Sequence, residues 1–325
     1  MTIQQIFNLA IKLGRRADPR PEREIQKQMR QIKLNFKKLS VNEKKYYPKE
    51  KLANPYPDSL IHLGDPQKEI KKALVTIDVT EGKLILAREL GVDLVIGHHI
   101  IGKSLALLAE AMKLQLYVYQ KYGVPINIIE GLLRKRIEEV RRGIHALNHY
   151  IVVDTGRLLD SSLINVHTPA DNLAYDYIEK SVKKNKPDYV SDVLKILFAI
   201  PEYQEAALRG ASPRLFAGSP KNHCGKTVVS EFTGGTDGTE KIYSHLATAG
   251  VGTVISMHQS EGHRKEAEKA FVNVVVASHI ASDSLGMNLF IDELEKREIE
   301  ILPAGGFIRV SRVKDKKGVI VNPIS

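Results

Sequence analysis

The chain has 325 residues, a formal net charge of +10, 43% hydrophobic and 26% charged residues. That balance excludes a disordered chain and allows two globular domains with ample core. No apolar run approaches the roughly 20 residues of a membrane-spanning helix and no secretory leader is evident, so a cytoplasmic protein without membrane contact is expected. The lone cysteine, Cys224, excludes an internal disulfide and a cysteine-based zinc knot, which leaves His and carboxylates as the available metal ligands.

The charge is concentrated at the start. Residues 1–51 carry 14 Lys/Arg against 5 Asp/Glu, and the remainder is close to neutral. Helices are predicted over 3–13 and 22–38, the second with Ile25, Met29, Ile32 and Phe36 in one apolar stripe. This basic helical extension, taken as residues 1–55, could attract nucleic acid or another acidic partner. A solvated helix face is the simpler account, and no aromatic platform for base stacking accompanies it. Residues 46–59, with Pro48, Pro55 and Pro57, read as a linker.

A first αβ lobe is then expected over residues 56–185. Ala73–Val79 reads as a strand, Glu81–Leu90 as a helix and Val92–Ile96 as a strand. Long helices follow over Ser104–Tyr122 and about 128–146, and Leu163–Val166 reads as a further strand. Strand–helix–strand order at these lengths implies parallel pairing through crossovers. Residues 186–225 are turn-rich and form an inter-lobe segment. A second αβ lobe over 226–325 has strands at Thr227–Phe232, Thr253–Met257 and Val272–Ala277. Helices are expected over 239–249 and 261–270, with tail strands near 306–312 and 318–322.

Three predicted strand ends carry chemistry. The first runs into Gly97-His98-His99, the second into His167-Thr168-Pro169-Ala170-Asp171, and the third into Ser278-His279-Ile280-Ala281-Ser282-Asp283. Ligands of open α/β sheets gather outside the carboxyl ends of strands. A helix starting near His279 would put His279 and Asp283 on one face. His98, His99, Asp171, His279 and Asp283 together exceed what one tetrahedral zinc requires. They suit two divalent ions, which can lower the pKa of a coordinated water and clamp attacking and leaving oxygens. His167 reads better as an orienting or proton-relay residue behind the ligands. His258 and His263 are additional candidates. The loop Gly234-Gly235-Thr236-Asp237-Gly238 could cradle a phosphate through Gly234 and Gly235 or could be a simple tight turn.

With these residues in view, residues 60–310 resemble the Nif-three-like family (NGG-interacting-factor-three-like proteins), which includes homologues of GTP cyclohydrolase I type 2. The similar stretches are Leu63-Gly64-Asp65-Pro66, Ala73–Thr80, Asp93–His99, His167–Asp171, the Gly234-Gly235 loop, and Ala277-Ser278-His279 with Asp283. The resemblance implies an α+β or α/β fold of two lobes and, commonly, a toroidal homohexamer. It also implies a two-metal centre held by His98, His99, Asp171, His279 and Asp283, with Zn, Fe, Mn, Co or Ni all admissible. Ile100 stands where the family has Pro, and Asp283 where it has Glu, one methylene shorter. The basic extension has no family counterpart. The leading expectation is a metal-dependent hydrolase acting on a nucleotide-like substrate. A non-catalytic metal-binding regulator or trafficking protein, and a nucleic-acid-associated scaffold acting through residues 1–51, are the alternatives.

Overall fold

The structure, a computed structural model, describes residues 1–313. Its strands are β1 (Leu60–Leu63), β2 (Lys72–Thr76), β3 (Leu94–Gly97), β4 (Leu163–Asn165), β5 (Arg214–Ala217), β6 (Lys226–Val229), β7 (Val251–Ser256), β8 (Asn273–Val276) and β9 (Glu300–Ala304). They form two sheets, ordered β1-β4-β3-β2-β9 and β5-β8-β7-β6. Each is parallel except for one antiparallel edge strand, β1 against β4 and β5 against β8.

The central strands are short apolar runs buried on both faces, as parallel strands covered by helices must be. Alternation along β2 divides its side chains between two layers. Ala73 and Val75 pack with Leu94, Ile96 and Ile164 against Ile3, Ile6, Ala10, Phe290 and Ile291. Leu74 faces the other way, with Val95 and Leu163, against Leu84, Ala87 and Val153.

Several expectations need correction. The helix Ile3–Arg16, opened by a capping box between Thr2 and Gln5, buries Ile3, Ile6, Phe7 and Ala10, so it belongs to the core and not to an appended arm. The following helix, Glu22–Lys38, buries only Ile25 and keeps its charges in solvent. The proline-rich stretch taken for a linker folds into a 3-10 turn, Lys49–Leu52, and a loop in which Asn54, Tyr56, Asp58 and Ser59 are buried. The single helix expected over 104–122 breaks into Gly102–Ala106, Leu108–Ala111, a 3-10 turn Met112–Leu114, and Gln115–Lys121. Leu108, Ala109, Ala111, Met112, Leu114, Val118 and Tyr119 are all buried. One straight helix could not turn so many neighbours inward.

The inter-lobe stretch is ordered: helices Val190–Phe198 and Pro201–Leu208 lead to β5. The tail strand falls at 300–304 and pairs with β2 of the first sheet, Lys72 opposite Glu300, so the chain crosses back to that sheet after the second one. Residues 306–312 form no strand, because helix side chains take their backbone groups. Asn288 Nδ2 donates to Ile308 O, Ser284 Oγ accepts from Ile308 N, and Asn288 Oδ1 accepts from Val310 N. The strand expected near 318–322 lies outside the described residues. Among the described residues no helix is long and apolar enough to cross a membrane.

Two long helices, Thr168–Asn185 and His279–Glu295, pack against each other between the sheets. Gly286 makes this approach possible. A Cβ at Gly286 would lie 2.2 Å from the carbonyl oxygen of Ala170. The contact brings Asp171, one residue after Ala170, toward Asp283, one turn before Gly286.

Candidate metal centre

The carboxyl ends of both sheets open on one cavity of about 220 Å³. Its walls include His99 after β3, His167 after β4, Glu231 after β6, Met257 and His258 after β7, and His279 after β8. The three predicted strand ends therefore converge, and two further ends join them.

His98 is buried, and its Nδ1 meets the Val166 carbonyl oxygen at 3.0 Å. His99 Nδ1 meets Asp78 Oδ1 at 2.7 Å. His167 Nδ1 meets Asp58 Oδ2 at 2.9 Å, and the Thr168 hydroxyl donates to the same oxygen at 2.5 Å. With Nδ1 of three rings engaged by oxygen acceptors, Nε2 is the nitrogen left for a ligand, the arrangement typical of metal-binding histidines.

Those Nε2 atoms meet carboxylates. His98 Nε2 lies 3.3 Å from Asp171 Oδ1 and 3.4 Å from Asp283 Oδ1. Asp283 Oδ2 lies 3.3 Å from His99 Nε2 and 3.6 Å from His279 Nε2. Yet His98 Nε2 and Asp283 Oδ1 are buried without a hydrogen-bond partner among the described residues. Two ligands bound at about 2.1 Å in a tetrahedral site stand about 3.4 Å apart, so the separations fit a shared cation better than a direct contact. Two groups have ligand atoms within 4.8 Å of one another: His98 with His167 and Asp171, and His98 with His99 and Asp283.

The electrostatics agree. Burial alone would depress His98, but the carboxylates of Asp283 and Asp171 outweigh it and push the imidazole well above its ordinary value. Burial also opposes the rise at His99, which Asp283 and Asp78 nonetheless drive. Burial would raise Asp283, and His98 and His99 instead hold it far below the usual carboxylate range. Buried carboxylates in this setting require positive charge, either protons on imidazole or a metal ion.

All five predicted ligands line or abut the cavity. His279 is the most exposed of them, its side chain 48% accessible. His167, expected behind the ligands, stands in a ligand-capable group with His98 and Asp171. Gly234 and Gly235 both have positive φ, 96° and 85°. Their loop closes on itself: Gln115 Nε2 donates to the carbonyl oxygens of Gly234 and Thr236. The next helix begins only at Ile242, so the loop does not lie at a helix N-terminus, while Gly235 and Thr236 line the cavity.

Sequence reasoning missed Asp58, Asp78 and Glu231. Asp58 lies in the supposed linker, although a carboxylate just before the β1 run Leu60-Ile61-His62-Leu63 marks where the chain enters the sheet. Asp78 follows β2 as the histidine pair follows β3, and that parallel placement was the clue. Glu231 was hidden inside a predicted strand that ends earlier, at Val229.

No family profile and no curated protein matches the sequence. Among solved structures, a NIF3 superfamily protein from Sphaerobacter thermophilus superposes with a TM-score of 0.71 at 26% identity, over 77% of this chain and 91% of that one. This likeness supports assigning the chain to the Nif-three-like superfamily. Reduced HcgD from Methanocaldococcus jannaschii shares the fold, with a TM-score of 0.51 at 17% identity, over 81% of this chain and 94% of that one. The Nif-three-like fold accounts for the two αβ lobes, and the buried His/Asp groups of this chain could bind a metal.

Proposed function

We propose that this Nif-three-like chain is a metal-dependent hydrolase with a dinuclear centre, acting on a nucleotide-like substrate. The observation that carries the reading is the division of Asp283. Its Oδ1 faces His98 and its Oδ2 faces His99 and His279, at 3.3 to 3.6 Å. A carboxylate so placed can bridge two ions, one held with His98, His167 and Asp171, the other with His99 and His279. These separations support Asp283 as the ligand where the family has Glu.

Divalent ions there would supply Lewis-acid stabilisation of a carbonyl or phosphoryl group and acidify water. The chain's own residues do the rest. Asp58 and Asp78 fix the rings of His167 and His99. At about 220 Å³ the cavity is smaller than the roughly 300–1,000 Å³ typical of drug-sized ligands. It suits the reacting end of a nucleotide, with the remainder at the mouth. A homohexamer follows from the resemblance and is checked by light scattering in solution.

Metal analysis of wild type and His98→Ala, with a nucleotide hydrolysis screen, tests the proposal. Near two ions per chain, lost in the variant, together with turnover, supports it. A metal-replete wild type that binds none refutes the centre. Metal without turnover favours a regulatory or trafficking role. A polyanion-associated scaffold is favoured by one observation, the exposed charge of Glu22–Lys38. Reversing Arg23, Lys27 and Arg30 and measuring RNA retention tests it.

A further inference from the structure

We infer that Glu231 is an acid–base residue of this site, transferring a proton to the leaving atom across the cavity from the metal ligands, with His263 as its positioning residue. The inference rests on the hydrolase reading. Among the described residues three carboxylates line the cavity, Asp171, Glu231 and Asp283. Asp171 and Asp283 face the imidazoles of the two ligand groups, and Glu231 alone stands outside both.

Glu231 is buried, and its Oε2 has no hydrogen-bond partner. Its Oε1 accepts only a long bond from the Gly238 N–H, at 3.3 Å. Its backbone has φ of 58°, a region that costs a non-glycine residue of order 1 kcal/mol or more and that recurs at functional sites. Phe232 and Thr233, which follow it, also line the cavity. A merely structural carboxylate would have both oxygens satisfied; among the described residues this one has an oxygen without a partner, in a residue that lines the cavity.

Behind it stands His263, with Nε2 3.6 Å from Glu231 Oε1 and itself buried and unpaired. Ser260 Oγ accepts the backbone N–H of His263 and lies 2.7 Å from its Nδ1. The serine hydroxyl can donate to Nδ1, and in that tautomer the ring proton sits on Nε2, the nitrogen nearest Glu231. His263 and Ser260 also line a second cavity of about 550 Å³. Glu231 lines the metal cavity and His263 the second one, so the pair links the two.

Burial pushes Glu231 up to about 7, against the pull of His258 and with Asp237 adding to the rise. Burial lowers His263, with Asp237 and Glu240 opposing and Arg136 adding to the fall. Both shifts favour the uncharged forms, a carboxylic acid beside a neutral imidazole. That is the state of a general acid matched to its working pH.

The step balances as a hydrolysis. A water oxygen forms the new bond to carbon or phosphorus, and the bond to the leaving atom breaks with its electron pair on that atom. Glu231 Oε2 gives that atom its proton. The proton shed by the attacking water returns to Glu231, so the net change is the addition of one water.

The test uses metal-loaded full-length wild type, Glu231→Gln and His263→Asn, with nucleoside phosphodiesters carrying p-nitrophenyl or phenyl leaving groups. General acid–base catalysis contributes roughly 10²–10⁴-fold, and its loss falls on the poorer leaving group. Glu231→Gln is expected to lose that factor on the phenyl ester, less than about tenfold on the p-nitrophenyl ester, and no metal. A readout independent of turnover is the infrared band of a protonated carboxyl group in metal-free protein. It is expected in wild type near neutral pH, absent in Glu231→Gln and shifted in His263→Asn. Equal loss on both esters, loss of metal, or a band unchanged in Glu231→Gln overturns the role of Glu231 while the hydrolase reading stands. Absence of turnover by metal-replete wild type on these esters and on nucleotides overturns both.

Discussion

Gly286 offers a sharp test of how the fold builds the site, because one methyl group there opposes two known effects. Glycine within a helix costs about 1 kcal/mol relative to alanine, so Gly286→Ala would stabilise the His279–Glu295 helix in isolation. In the folded chain the added Cβ would stand 2.2 Å from Ala170 O and 2.8 Å from Ala170 C. An ordinary C···O contact is about 3.3 Å or more, so the helices must part by about 1 Å. Overpacking of this kind costs about 1–3 kcal/mol and outweighs the propensity gain. The net expectation is a loss of up to about 2 kcal/mol in urea unfolding of the metal-free protein.

The larger effect is on metal. Asp171 and Asp283 ride on the two helices forced apart, and ligand distances tolerate only about 0.2 Å. Affinity measured by chelator competition is expected to fall at least about tenfold. Gly131→Ala and Gly143→Ala are the controls. Both lie in the Ile126–His145 helix, and a Cβ there meets nothing within 4 Å. Each is expected to stabilise by about 0.5–1 kcal/mol without touching the metal. Unchanged stability and unchanged metal affinity in Gly286→Ala would refute the claim that this contact sets the ligand geometry.

Asp58→Asn removes the carboxylate that holds His167 Nδ1; metal affinity should fall about 10- to 100-fold in isothermal titration with the fold retained, and an unchanged affinity would remove His167 from the centre. Glu231 has its folded value raised to about 7 from 4.5, so the native state holds a proton the unfolded chain has lost. Its contribution to stability falls as pH rises through that window, by up to about 3 kcal/mol. Unfolding curves of Glu231→Gln should lack this decline, and parallel wild-type and variant profiles would contradict the shift. Ile6 is fully buried, so Ile6→Ala should cost about 2–5 kcal/mol in chemical unfolding. A neutral result would mean that the first helix is peripheral after all.

How legible the site was depended on what each residue had to do locally. His98-His99 and His279 close apolar β-runs, and Asp171 and Asp283 fall one turn into the helices that follow. Strand period and helix period therefore placed them without tertiary knowledge. Asp58 and Asp78 were opaque for a different reason. Each acts on a histidine far along the chain, Asp58 on His167 and Asp78 on His99, and nothing local distinguishes such a carboxylate from a solvated one. The first helix was misread because its apolar face, Ile3, Ile6, Phe7 and Ala10, sits among basic residues, and net charge spoke louder than the stripe. The return of β9 beside β2 was equally hidden. A five-residue strand with Pro303 reads as an edge, which it is, but not as the edge of the first sheet.

The division of the site between two sheets has a thermodynamic consequence. The first sheet delivers His98, His99 and His167, and the second delivers His279 and, through the helix it leads into, Asp283. The group His98, His167 and Asp171 comes from the first sheet alone, but the group His98, His99 and Asp283 draws on both. Ions bound there would contribute their binding free energy to the contact between the lobes, stabilising the folded chain by RT ln(1 + [L]/Kd), about 2.7 kcal/mol at a hundredfold excess over Kd. In the metal-free state the same contact sets buried Asp283 against His98 and His99, whose charged forms it favours, an arrangement whose cost depends on those protons. The metal-free chain should therefore lose stability both in acid, as Asp283 is protonated, and in alkali, as the raised imidazoles lose their protons. Bound metal should flatten the alkaline limb, because a cation replaces the departing protons. Melting curves with and without metal that keep a constant separation between neutral and alkaline pH would show that the lobes are held together by their apolar packing alone.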